Sequence, residues 1–240
     1  MAQGSRVSCN LMYNNTTDDC FFEVDHGPYL VDNNILLSPL SILDMSEGGA
    51  FVHNLIGGKV YPRPEPNRFT PYHFPHSTHV AGLINILLGD DRYYNNIFAP
   101  DKSTMQQNNK GGSFGLEGYS TAKYQVWIAS NLYFNGAKPM NKEVNGVENS
   151  LFDPEVRLEE KGKEVFLYIR VDDTFSSVKS QLITTSLLGK AKMPDAPFEN
   201  PDGSFMKIDS DYSGNQRSEK APMVGPFEKL ERGAQAIKIW

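Results

Sequence analysis

Residues 34–56 read NILLSPLSILDMSEGGAFVHNLI: an Asn leads into a short apolar run, a turn follows, and the arrangement returns 20 residues later at Asn54. Outward from this stretch the same block appears as Asn10-Leu11-Met12-Tyr13, Asn96-Ile97-Phe98 and Asn131-Leu132-Tyr133-Phe134, at successive intervals of 24, 20, 42 and 35 residues. Two steps are single periods, the third is close to a double one, and the fourth holds an insertion. A repeat of 20 to 24 residues with short apolar runs predicts stacked coils of a parallel β-solenoid, because one coil cannot bury its own apolar residues and must stack on its neighbours. Asn suits the turns, since it tolerates left-handed backbone and its amide can hydrogen-bond from coil to coil.

Composition agrees with an all-β chain. Among 240 residues, 39% are hydrophobic and 11% aromatic, and 19 Asn, 20 Gly and 15 Pro supply turns rather than long helices. With 23 basic against 29 acidic residues the net charge is −6, and no Lys/Arg-rich run offers a footprint for nucleic acid or an anionic membrane. Neutral sugars remain suitable partners. Cys9 and Cys20 are too few and wrongly spaced for a zinc site or a disulfide framework, and read as two buried thiols. No run approaches the ~18 apolar residues of a membrane-spanning helix. The polar start MAQGSRVSCN lacks the apolar core of a signal peptide, which leaves the compartment open between bacterial cytoplasm and periplasm.

Residues 57–79 carry five Pro and read as an excursion from the solenoid, and 101–118 as a polar loop. Near the C-terminus Val156 and Leu158, then Val165, Leu167 and Ile169, alternate with polar residues around a turn at 160–163 and predict a hairpin with one dry face. The chain thus divides into coils over 1–150, a hairpin-rich extension over 151–195, and a terminal coil and strand over 196–240. No helix is expected.

The densest acidic cluster runs from Asp18 to Asp25, followed by His26-Gly27-Pro28 and Asp32. Strand alternation predicts Phe22 and Val24 on one face, with Glu23 and Asp25 on the other. Carboxylates at i and i+2 start roughly 6.5 Å apart, and residues on adjacent coils roughly 4.8 Å apart. Retaining glycosidases need ~5–5.5 Å and inverting ones ~6.5–9.5 Å, so adjacent coils suit a retaining pair. Below Glu23 the next coil would present Asp44 and Glu47. His73, His76 and His79 recur every three residues, but Pro75 argues against a helix and a metal site, and they read as loop histidines that contact backbone or substrate hydroxyls. Trp127, Tyr72, Tyr93, Tyr94, Tyr119 and Tyr124 could offer flat faces to sugar rings, or fill the core. Arg92 after Asp90-Asp91 could bind hydroxyls or pair internally. Asp18, Asp19 and Asp32 could instead ligate Ca2+, although no spacing is diagnostic; no cofactor is expected.

The runs EVDHGPYLVDNNILLSPLSILDMSEGGAFVHNLIGG, TPYHFPHSTHVAGL, GDDRYYNNIF and NLYFNGAKP resemble the catalytic half of the right-handed parallel β-helix glycosidases of glycoside hydrolase family 120, the β-xylosidases. IDSDYSGNQR followed by VGPFE is similar to a terminal coil motif of many bacterial parallel β-helix proteins. The resemblance covers roughly residues 1–150 and 205–228. It implies retaining hydrolysis of xylo-oligosaccharides, and so a role in xylan degradation, with Glu23 as acid/base and Asp25 in support. His26, Asp44, Glu47, His73, His76, Arg92 and Trp127 are the candidate substrate contacts. The family's Asp nucleophile would sit one coil before Met1, so the chain is expected to be a C-terminal portion, inactive alone, that completes itself with an N-terminal half or by self-association. A non-catalytic carbohydrate-binding β-helix is the alternative, and a polysaccharide lyase, which would want a basic proton abstractor, comes last.

Overall fold

The computed structural model describes residues 3–101, 105, 111–141 and 143–240. The chain visits three parallel sheets in turn. A first round is β1 (Arg6–Ser8), β2 (Leu11–Met12) and β3 (Asp18–Glu23); a second is β4 (Tyr29–Asp32), β5 (Ile35–Leu36) and β6 (Leu40–Met45); a third is β7 (Gly49–Val52), β8 (Leu55–Ile56) and β9 (Lys59–Pro62). An antiparallel hairpin, β10 (Glu65–His73) and β11 (Val80–Ile86), then leaves the stack. Winding resumes with β12 (Arg92–Tyr94), β13 (Ile97–Phe98), β14 (Trp127–Ala129), β15 (Leu132–Phe134) and β16 (Val147–Asn149). Sheet A orders β1-β4-β7-β12-β14, sheet B orders β2-β5-β8-β13-β15-β16, and sheet C orders β3-β6-β9, every pairing parallel.

Each of the five Asn blocks enters a strand of sheet B. Backbone N and side-chain Nδ2 of each Asn donate to Oδ1 of the next, from Asn10 through Asn34, Asn54 and Asn96 to Asn131, at 2.9–3.1 Å. Glu143 ends this ladder, its Oε1 accepting from Asn131 N at 2.9 Å and from Nδ2 at 3.0 Å. The residue before each Asn block, Cys9, Asn33, His53, Asn95 or Ser130, turns the corner with φ between 55° and 61°. Inside the coils Phe22 stacks on Tyr29, Phe51 on Tyr93 and Phe98 on Tyr133, with centroids 4.5–5.0 Å apart. Gly49 is required in this stack, since a Cβ there would lie 2.5 Å from the Tyr29 ring.

The central strands of sheets A and B are buried on both faces, which is why β5, β7, β8, β13 and β15 carry no charged residue. Ile35, Leu55, Ile97 and Leu132 of sheet B meet Leu167, Ile169 and Phe175. Those partners come from the antiparallel sheet of β17 (Arg157–Lys161), β18 (Glu164–Val171) and β19 (Gly233–Lys238), and from α1 (Thr174–Ser177). Leu30, Ala50, Val52 and Tyr94 of sheet A meet Ile183, Leu188, Phe198 and Met206. On the outward row of sheet C, Phe21 of β3 is exposed, and its register partners Leu43 and Tyr61 are half-buried.

Several expectations need correction. The coil continues through β9 before the Pro-rich excursion begins, so the departure spans 65–86 rather than 57–79; its prolines fit because β10 belongs to a two-stranded sheet. Short helices do form, α1 and α2 (Thr185–Leu188), together with a 3-10 turn at Glu117–Thr121. Cys20 is buried, but Cys9 is exposed at its left-handed corner, and both thiols are free. The Met1 reading, and residues 102–104 and 106–110 of the expected loop, lie outside the described residues.

Candidate functional site

Glu23 ends β3 on the outward row beside Phe21, with its side chain 45% exposed. Arg68 Nη1 donates to Glu23 Oε1 at 2.6 Å. The guanidinium arrives on β10, the first strand of the hairpin that leaves the coils after β9. Sequence reasoning missed Arg68, because its place depends on a hairpin returning across 45 residues.

The register places Met45, not Asp44 or Glu47, opposite Glu23. Nor does Asp25 share Glu23's outer face. Val24 adopts φ +53°, so the alternation fails one residue after β3 ends. The Val24 side chain turns under the hairpin onto Ile86 and Leu88, and Asp25 is buried with it. Asp25 N donates to Ser46 Oγ at 3.0 Å, and Asp25 Oδ1 accepts from Gly27 N at 3.3 Å.

His26, a candidate substrate contact, is also buried. Its Nε2 lies 2.9 Å from Thr70 Oγ1 on β10, and its Nδ1 lies 3.4 Å from Glu47 Oε2. Glu47 Oε1 accepts from Leu87 N at 2.6 Å, just past β11. These two side chains fasten both strands of the hairpin to the coil, and so set where Arg68 stands.

Asp44 points the other way, into the coil interior. It accepts from Ser46 N at 3.0 Å, from Tyr29 Oη at 3.3 Å and from Tyr119 Oη in a short bond. Burial raises its pKa from 3.8 to about 7, opposed by the bonds from Tyr119, Ser46 and Tyr29. Asp91, equally buried, is pushed well above the usual carboxylate range by burial and then by Asp44. Asp44 is therefore an interior group with no path to a substrate beside Glu23.

The remaining candidates occupy two other places. His73 and His76 sit at the hairpin tip, on a cavity of about 620 Å³ completed by Gln3, Arg6, Phe74 and Phe198. Gln3 and His73 exchange hydrogen bonds of 3.0 and 3.1 Å, and His76 Nε2 lies 2.8 Å from Glu199. Arg92 and Trp127 lie on the outer face of sheet A in a separate cavity of about 540 Å³. Of the proposed sugar platforms, Tyr93 and Tyr119 are core residues joined through their hydroxyls at 2.8 Å. The Ca2+ alternative does not assemble: Asp32 is taken by Arg6 at 2.7 and 2.8 Å, while Asp19 accepts from Asn15 and Ser38. Among the described residues no group of three or more His, Cys, Asp or Glu could hold a metal ion.

The chain is similar to a solved structure described as the complex structure of XylC with xylose, with 39% sequence identity and a TM-score of 0.88. The match covers 100% of this chain and 40% of the XylC chain, so this chain spans well under half the length of its structural neighbour. No protein-family model matches, and no curated protein matches.

Proposed function

We propose that this chain is the acid/base-bearing part of a retaining β-xylosidase-type glycosidase acting on xylo-oligosaccharides. In this reading its three-sheet winding is a right-handed parallel β-helix, and Glu23 is the general acid and then the general base. The observation that carries the reading is the 39% identity to XylC, solved with xylose, over the whole of this chain. Its local support is an exposed carboxyl at a strand end, flanked by the ring of Phe21 and by Arg68.

In the first step the Glu23 carboxyl gives its proton to the glycosidic oxygen as the C–O bond breaks, and a second carboxylate forms an ester with the sugar's anomeric carbon. In the second step Glu23 takes a proton from water, whose oxygen attacks that carbon and releases the carboxylate. The contact with Arg68 is exposed, worth under ~1 kcal/mol, and is readily exchanged for a substrate hydroxyl. Asp25 and His26 act by holding the loop beneath Glu23 rather than by touching the sugar.

The second carboxylate is the point on which the readings divide. β6 offers Met45 to Glu23, so the nucleophile belongs on polypeptide laid along the other edge of β3, where strand spacing of roughly 4.8 Å approaches the ~5–5.5 Å of retaining pairs. The register of Met45 favours a second reading as well: alone, the chain binds xylosyl units without cleaving them.

The test is hydrolysis of 4-nitrophenyl β-xyloside by this chain, by a chimera placing it behind the preceding residues of XylC, and by the Glu23→Gln form of each. Activity confined to the chimera and lost by ~10²–10⁴-fold in Glu23→Gln with a poor leaving group would support the catalytic reading. A chimera that is folded, binds xylose and never hydrolyses would leave the binding reading.

A further inference from the structure

Trp127 and Arg92 were candidates for the same substrate as Glu23, yet they stand elsewhere. Trp127 lies on β14, the last strand of sheet A, whereas β3 opens sheet C. The cavity beside Trp127 shares no lining residue with the surroundings of Glu23 described above. What this second place can do follows from how it is built.

Arg92 and Trp127 are register partners on the outer face of sheet A, and the guanidinium carbon sits 4.3 Å from the indole centroid. On the C-terminal segment Phe198 also faces that guanidinium, at 5.2 Å. The Arg92 side chain is only 4% exposed and is held on every nitrogen. Nε donates to Leu188 O at 2.9 Å, Nη1 to Asp90 Oδ1 at 2.9 Å and to Asp90 O in a short bond, and Nη2 to Lys190 O at 2.6 Å. Trp127 therefore rests on an immobilised cation, while 39% of it stays exposed. A flat ring that is already fixed loses little entropy when a ligand covers it.

The walls of the cavity are mostly apolar, with Tyr94, Leu187 and Leu188 beside Trp127, and its rim is basic. Tyr124 lies near, with Lys192 Nζ 5.8 Å from its ring, and Lys123 and Lys192 are exposed at the rim. Asp90 does not offset them: Oδ1 is bound to Arg92, and Oδ2 accepts from Lys192 N at 2.6 Å. In a chain of net charge −6 this is a local basic rim around an aromatic plate. Its volume of about 540 Å³ falls within the ~300–1,000 Å³ usual for ligand pockets.

We infer that this cavity is an accessory carbohydrate site, distinct from the Glu23 centre, which seats a β-1,4-linked xylosyl chain on Trp127 and draws its uronic-acid branches to Lys123 and Lys192. The choice of xylan rests on the function proposed above; the aromatic plate and basic rim are independent of it. Such a site would hold the enzyme on polymeric substrate while another region cleaves chain ends.

The chain has two Trp, so Trp240→Phe leaves Trp127 as sole indole reporter. In that background, titration with glucuronic-acid-substituted xylo-oligosaccharides is expected to change indole emission, with binding weakened several-fold by 0.5 M salt. Trp127→Ala, checked for folding by thermal melting, is expected to weaken retention in a glucuronoxylan affinity gel at least tenfold. The pair Lys123→Gln and Lys192→Gln should weaken the acidic oligosaccharide several-fold and leave unsubstituted xylohexaose unchanged. Unaltered retention of Trp127→Ala, equal retention on galactomannan, or lysine variants that bind like the parent would each overturn the inference. Hydrolysis of an aryl xyloside by the chimera without xylan retention would sink this site and spare the function proposed for Glu23; retention without hydrolysis would do the reverse.

Discussion

Val24 holds φ +53°, a conformation that β-branched residues rarely adopt, and it does so between the exposed Glu23 and the buried Asp25. The sequence EVDHGP reads as a strand running into a turn, and alternation assigned Asp25 to the wrong face because it assumes extended backbone throughout. The outward face of Glu23 was legible, since the residue before the break keeps the outward phase. Arg68 was not, because nothing near residue 68 indicates which residue 45 positions earlier it will meet. With both side chains about half exposed, Arg68→Ala should lower stability by no more than ~1 kcal/mol in urea titration. A larger loss would mean that Arg68 helps hold the hairpin down.

Asp44 makes a pH prediction at the same scale. Its folded pKa, about 7, lies above its ordinary value of 3.8, so the folded state binds the proton more tightly than the unfolded chain does. That stabilisation is complete below the ordinary value and is lost as pH rises through the folded one. Stability measured by urea midpoint should therefore fall between about pH 4 and pH 7. Asp44→Asn, which keeps an acceptor for the tyrosines, should flatten that fall. An unchanged slope in Asp44→Asn would place the titrating group elsewhere.

Among the elements, the ladder of sheet B was the most legible, because one Asn per coil bonds to the next, although the residue before it, not the Asn itself, turns the left-handed corner. Asn96 receives from Asn54 N and Nδ2 and gives to Asn131 Oδ1 and Phe51 O. Asn96→Ala strands these fully buried partners, at ~1–3 kcal/mol for each group left unsatisfied. Asn10→Ala, at the half-buried end, should cost under ~1 kcal/mol by the same measure. Equal urea midpoints for the two variants would contradict the ladder's role. Sheet C left a weaker trace, since β3 and β9 mix polar and apolar residues, and strands paired with other rounds need no local pattern. The β17–β18 hairpin was legible from alternation. Its third strand β19 was not, because it pairs across more than sixty residues.

For the whole molecule, what matters is which surfaces the C-terminal third covers. It covers most of the outer faces of sheets A and B, with Trp127 left partly open, and leaves the outward row of sheet C with Phe21 and Glu23 in reach of solvent. The period could predict coils but not this covering, since contacts such as Arg92 Nε with Leu188 O join residues 96 apart. The candidate residues consequently fall into separate places: Glu23 with Arg68 on sheet C, His73 and His76 at the hairpin tip, and Arg92 with Trp127 on sheet A. The central claim is that Glu23 supplies the proton to the leaving group. The most direct measurement is kcat/KM for aryl β-xylosides of graded leaving-group pKa in the XylC chimera, with Glu23 intact and as Glu23→Gln. The account predicts a ~10²–10⁴-fold loss for poor leaving groups that shrinks toward none for leaving groups needing no proton. A loss of equal size across the series, or no loss at all, would contradict it.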